Sequence, residues 1–240
     1  MRAAPLLVVP LLALAAGCSG TSAHNPPILT ATPTLPTAAA TTDPPTPSPT
    51  ATPTPTASPT PTGRAIPAAD GDVDGDGKRD LIQPSATVLK ITLSGTGKVV
   101  TAPVHKEDPG PATLMGTADV DRDGRAEVFL QTAQGASTSF ATPYRFDGTS
   151  LKELQLDGGP ARLGIGGSIT HGDGFRCLPT GLLEIRQAES NDGTTFTVRA
   201  DRYAIVGAQL VLRSSSTGKG AQGSPTVESA YTADCGTVGD

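Results

Sequence analysis

Apolar and polar residues alternate with period two over residues 88–93 (VLKITL). Leu89, Ile91 and Leu93 fall on one face, Lys90 and Thr92 on the other. That is the pattern of a strand with one buried side. The stretches 127–132 (EVFLQT) and 138–146 (TSFATPYRF) continue the theme, and Asp147-Gly148 marks a turn before LKELQL. Asn191-Asp192-Gly193 separates LLEIRQA from TTFTVRA, which predicts a hairpin. QLVLR at 209–213 predicts a short strand, and the Ser-, Thr- and Gly-rich stretch 214–225 reads as a loop. No stretch keeps a helical period over a useful length. The pattern predicts an all-β fold with many turns.

The first 66 residues obey other rules. Residues 1–18 hold one early charge, Arg2, then an apolar run from Leu6 to Ala16, then small residues before Cys18. This predicts a secretory signal, too short for a stable membrane span. Residues 19–66 contain 14 threonines and 12 of the 23 prolines and no aromatic residue. Such a segment has almost nothing to bury, so it cannot offset its ordering entropy and is predicted to be a disordered linker. At about 3.1 Å per residue in an extended polyproline conformation it reaches about 150 Å. Its Ser, Thr and Pro content suits O-glycosylation equally with an unmodified spacer. Residues 67–240 remain as one folded domain.

The domain lacks Trp and has few aromatic residues, so its core must come from Val, Leu, Ile and Ala. A net charge of −5 argues against nucleic acid as a partner. Cys177 and Cys235 are the cysteines left beyond Cys18. In an exported chain two cysteines favour a disulfide; two free buried thiols are the alternative.

Charge chemistry concentrates in two places. Residues 69–83 read ADGDVDGDGKRDLIQ, and residues 116–131 read GTADVDRDGRAEVFLQ. Aligning Asp72 with Asp119 puts acids at positions one, three, five and nine and Gly at six in both, 47 residues apart. Two carboxylates about 4 Å apart repel by about 4 kcal/mol at an effective dielectric near 20. A cation turns that repulsion into attraction, and calcium takes six to eight oxygens at about 2.3–2.6 Å. A curled loop aims positions one, three and five at its centre, offers the carbonyl of position seven, and needs Gly at six for the bend. An EF-hand is excluded, because position twelve is Gln83 or Leu130 rather than Glu. Solvated acidic turns without metal are the competing interpretation.

The ending LAAGC resembles a bacterial lipobox, with Ala16 and Gly17 in place and Ala15 where Leu is usual. That resemblance implies lipidation at Cys18; a simply secreted chain or an uncleaved anchor are the alternatives. Two or more acyl chains, at about 0.8 kcal/mol per buried CH₂, anchor stably. The acidic loops, closed at position nine and followed at once by Leu81-Ile82 or Val128-Phe129, resemble the FG-GAP/VCBS repeats of integrin-α-type β-propellers. By that resemblance two calcium ions are expected. Asp72, Asp74, Asp76, the Lys78 carbonyl and Asp80 would hold one; Asp119, Asp121, Asp123, the Arg125 carbonyl and Glu127 the other. Glu127 departs from the commoner Asp. At this period the residues from 67 onward hold three to four repeats, yet no third loop follows; THGDGFRC at 170–177 has Asp173 alone. The expected domain is therefore a small or incomplete propeller-like body of about three blades. Residues 160–240 resemble the C-terminal halves of small exported actinobacterial VCBS-repeat lipoproteins.

Signatures of catalysis are weak. His171 near Asp173 and Cys177 reads as a turn residue, and His105 lies in a polar stretch. Ser168 lacks the flanking glycines of a nucleophile elbow, and no phosphate-cradling Gly-rich loop leads into Lys-Ser/Thr. The expectation is a lipid-anchored surface module with structural calcium, extending into the wall and binding an extracellular protein or wall polymer, and not an enzyme. The alternative is a wall-active hydrolase or accessory using exposed acidic loops.

Overall fold

The structure, a computed structural model, describes residues 70–238. Cys18, the linker 19–66 and residues 67–69 lie outside the described residues. The described part is all-β apart from one helical turn. Strands β1 (Leu81–Pro84), β2 (Val88–Thr92) and β3 (Val99–Pro103) form an antiparallel three-stranded sheet in that order. The period-two stretch behaves as expected: Leu89 and Ile91 are fully buried while Lys90 faces solvent.

A second sheet begins with β4 (Thr113–Ala118), β5 (Glu127–Gln134), β6 (Thr138–Phe146) and β7 (Leu151–Glu153), paired in that order. The loop–strand–strand–strand order of 72–103 thus recurs at 119–153. The short β8 (Gln155–Leu156) and β9 (Gly159–Pro160) follow. Then comes an antiparallel meander of β10 (Leu163–Gly167), β11 (His171–Leu178), β12 (Leu182–Glu189), β13 (Thr195–Val206) and β14 (Gln209–Ala221). Strand β10 pairs with β6, so the meander extends the same sheet. The helical turn α1 (Pro225–Glu228) and β15 (Ala233–Asp234), parallel to β11, complete it. Among the described residues the path runs from β4 to β9 without closing into a barrel or propeller.

Strand β5 is the centre of the packing. Val128 and Leu130 face the small sheet, in a cluster with Leu89, Ile91, Val100, Tyr144 and Phe146. Phe129, one residue along and so on the opposite face, joins Leu163, Phe175, Leu183 and Ile205. Its ring stacks on Phe175 with centroids 5.7 Å apart. A strand covered on both faces has no reason to alternate, which is why Val128, Phe129 and Leu130 are consecutive apolar residues where a period-two pattern was expected. Each such fully buried large side chain contributes about 1.5–3 kcal/mol.

Two expectations are corrected. Residues 214–221, read as a loop, are the second half of β14, paired with β13 from Arg202↔Ser214 to Thr195↔Ala221. Their side chains are solvated on both faces, so only main-chain hydrogen bonds hold them, and no apolar period marks them. His171, read as a turn residue, opens strand β11 (His171–Leu178), and its ring pairs with Asp173 at 2.8 Å. The Asn191–Gly193 hairpin forms as expected, with Asp192 Oδ1 accepting the N–H groups of Thr194 and Thr195. Cys177 and Cys235 form a disulfide across 58 residues with Cα atoms 4.7 Å apart. A closure of that length contributes about 4 kcal/mol in the chain-entropy account.

Candidate metal centre

Both acidic loops fold by the same local rule. The carboxylate at position one accepts the N–H at position six: Gly77 to Asp72 at 2.8 Å, Gly124 to Asp119 at 3.1 Å. Position three accepts from position five: Asp76 to Asp74 at 3.2 Å, Asp123 to Asp121 at 3.3 Å. Position five accepts from position seven: Lys78 to Asp76 at 2.8 Å, Arg125 to Asp123 at 2.9 Å. Position nine reaches back to position two: Val73 to Asp80 and Val120 to Glu127, both at 2.9 Å. Asx-type bonds of this kind need short acidic side chains at alternate positions. Gly77 and Gly124 sit at φ 85° and 89°, where a side chain is strained.

This winding brings three carboxylates together in each loop. Asp72, Asp74 and Asp80 place oxygens within 4.8 Å of one another, and so do Asp119, Asp121 and Glu127. Asp76 and Asp123 stand outside these two groups. Asp72 and Glu127 are the buried members, 2% and 1% exposed. Burial, reinforced by the other acids, raises the carboxyl pKa values of Asp74, Asp119 and Asp121, and raises Glu127 well above its usual range. A group of like charges held out of water in this way favours either protons or a cation. The donors are all oxygens, which suits a hard divalent ion. Asp119 Oδ1 supplies the fit: it is buried and has no hydrogen-bond partner, so a cation would satisfy it.

The two loops touch. The Ala126 N–H donates to the Asp72 carbonyl at 2.7 Å. A side chain at Gly75 would meet the Gly124 carbonyl at 3.1 Å and Arg125 Cγ at 3.2 Å, so close approach as well as φ 80° calls for Gly there. Asp70, at the edge of the first acidic run, belongs to neither carboxylate group. It pairs with Arg79 and accepts the Thr117 hydroxyl at 2.8 Å, tying the first loop to β4.

Arg145 is a site residue that spacing along the chain did not reveal. Its guanidinium spans Asp121 at 2.7 Å and Asp123 at 2.6 Å and is mostly buried. It lies on β6, one place beyond the Val128↔Tyr144 pair and therefore opposite Glu127. Comparison of the chain with protein-family models, with curated proteins and with solved structures returns no match.

Proposed function

We propose that this chain is an exported, lipid-anchored module of FG-GAP/VCBS-like repeats whose two acidic loops hold structural calcium, and which engages an extracellular protein or wall polymer. The observation that carries the reading is the repetition, 47 residues apart, of four matching backbone-to-carboxylate bonds, each set gathering three carboxylates. In this reading the sheet β1–β3 and the strands β4–β7 are two blades, and the meander β10–β14 takes the place of a third. Calcium, when bound, supplies charge neutralisation and a crosslink. Asp72, Asp74 and Asp80 would hold one ion, and Asp119, Asp121 and Glu127 the other, with Asp76, Asp123 and the carbonyls of Lys78 and Arg125 completing the shells. Because Asp80 is followed directly by β1 and Glu127 opens β5, each ion would pin a loop to the start of a strand. Extracellular calcium suffices even for sites of about 10⁻⁴–10⁻³ M.

A binding role is favoured over hydrolysis by where the other protected acids are engaged. Glu184 is taken by three arginines, Asp201 by Arg199, and Glu153 by His105 and Tyr144. Glu184 and Asp201 are each compensated by arginine, which leaves neither for acid–base work. The test of the calcium reading is a melting curve of the full chain with calcium, with chelator, and with magnesium after chelation. Chelation lowers the midpoint, and magnesium restores it poorly because it demands a tighter octahedral shell. An unchanged midpoint on chelation overturns the reading. The anchor is tested by Cys18→Ala, which shifts the chain from membrane to medium.

A further inference from the structure

We propose that the face of β11–β13 bearing Glu184 carries an anion site in which Arg176 and Arg202 grip one phosphoryl group, a binding site distinct from the acidic loops. Cross-strand register builds it. Arg176 on β11 faces Glu184 on β12, which faces Arg202 on β13, and Arg186 follows two residues after Glu184 on the same face. The Glu184 carboxylate is completely buried. Its Oε1 accepts from Arg176 Nε at 2.8 Å and Arg186 Nε at 2.7 Å, and its Oε2 from Arg202 Nε at 2.7 Å. Although burial alone would raise its pKa, the hydrogen bonds from Arg202, Arg186 and Arg176 hold it down to about 2, so it stays ionised.

One carboxylate needs one guanidinium for neutrality. Three leave an excess of two positive charges. Arg186 is the inner member, 13% exposed and tied to the Ser229 hydroxyl. Arg176 and Arg202 differ: they are 37% and 41% exposed, and each spends only Nε on the protein among the described residues. Their terminal nitrogens are left for an outside acceptor. Both grip the same carboxylate, Arg176 at Oε1 and Arg202 at Oε2, from the two strands that flank β12. Asp234 pairs in register with Arg176 but forms no ion pair with it. An excess of two charges on planar, two-pronged donors fits a dianionic phosphate monoester better than a monoanionic carboxylate. The chain's net charge of −5 gives no general attraction for anions, so binding here would be local.

The test is a calorimetric titration of the full chain with glycerol 3-phosphate in calcium-containing buffer, which keeps the acidic loops in one state. The expected result is one saturable site with a Kd of about 1 mM or tighter. Arg176→Gln and Arg202→Gln each weaken it about tenfold, and the double variant abolishes it. Melting midpoints without ligand verify that both variants fold; Lys219→Gln, on β14, leaves binding unchanged. Acetate and dimethyl phosphate bind more weakly than the monoester. No saturable binding, or binding that survives the double variant, overturns the site. Acetate binding as tight as the monoester overturns the phosphoryl assignment. Calcium-dependent melting is a separate measurement, so failure of this site leaves the loop reading intact.

Discussion

The two acidic loops follow one pattern and settle their charge differently. In the first, Asp72 is engaged by three amides of the chain itself: Oδ1 accepts from Gly75 at 2.8 Å and Asp76 at 3.1 Å, and Oδ2 from Gly77. Asp80 is held twice, by Val73 and by Ser94. In the second, Asp119 keeps one partner on Oδ2 and a buried Oδ1 with none, while Arg145 supplies a tethered positive charge to Asp121 and Asp123. Position four marks the divergence: Gly75 at φ 80° against Arg122 at φ 61°. To the four bonds they share, the first loop adds further backbone amides of its own and the second a cation from a neighbouring strand. A preorganised loop should bind its ion more tightly, whereas a loop with a built-in counter-charge should stand better without one.

Removing metal from both loops gives the largest effect. At calcium one hundred times Kd, linkage is worth about 2.7 kcal/mol per site, so chelation should cost about 5 kcal/mol if both sites fill. A calorimetric melting series against calcium concentration checks it, and a drop half as large would leave only one loop occupied. Next come Asp72→Ala and Asp119→Ala, compared in metal-free protein by urea unfolding. The first strands three backbone donors and should cost about 3 kcal/mol, the second strands one and should cost about 1 kcal/mol. Equal costs would erase the distinction drawn between the loops.

Arg145→Gln acts in the opposite direction on ion affinity. Removing a positive charge beside the second site should tighten calcium binding there about tenfold and leave the first site unchanged. Calorimetric titration reads both, and weaker binding at the second loop would mean that Arg145 orients the carboxylates rather than competing with the ion. The smallest effect is on pH. Glu127 has a folded pKa raised by burial and by Asp121, so its ionised form costs stability at neutral pH. That cost fades as pH falls through the folded value toward about 4.3, the unfolded one. Metal-free protein should therefore melt slightly later on mild acidification, and calcium-loaded protein should not. Below about 4.3 the sign reverses, because Glu184, held near 2, stabilises only while the unfolded chain would also be ionised.

Much of the architecture was readable along the chain where one face is buried and the other solvated. Strand β2 and the hairpin at Asn191–Gly193 are such cases. The acidic loops were readable too, since their winding is local: each of the four bonds common to both loops joins residues at most seven apart. Arg145 was not. Counting back from Gln134↔Ser139 without interruption would place Phe146 opposite Glu127, but the irregularity between Gln131 and Ala133 shifts the register by one and brings Arg145 there instead. A one-residue shift exchanges the two faces of a strand, and no local pattern announces it.

What the amino-acid order determined by itself is therefore what short-range physics decides: strand alternation, turn chemistry, and two loops whose aspartates bond to their own amides. What only the tertiary structure decided are the meetings of distant segments. The loops abut through Ala126 and Asp72, Arg145 enters the second loop, β5 is buried on both faces, and three arginines from three strands converge on Glu184. These depend on register and sheet order, which are settled by the packing of the whole core and not by any segment alone.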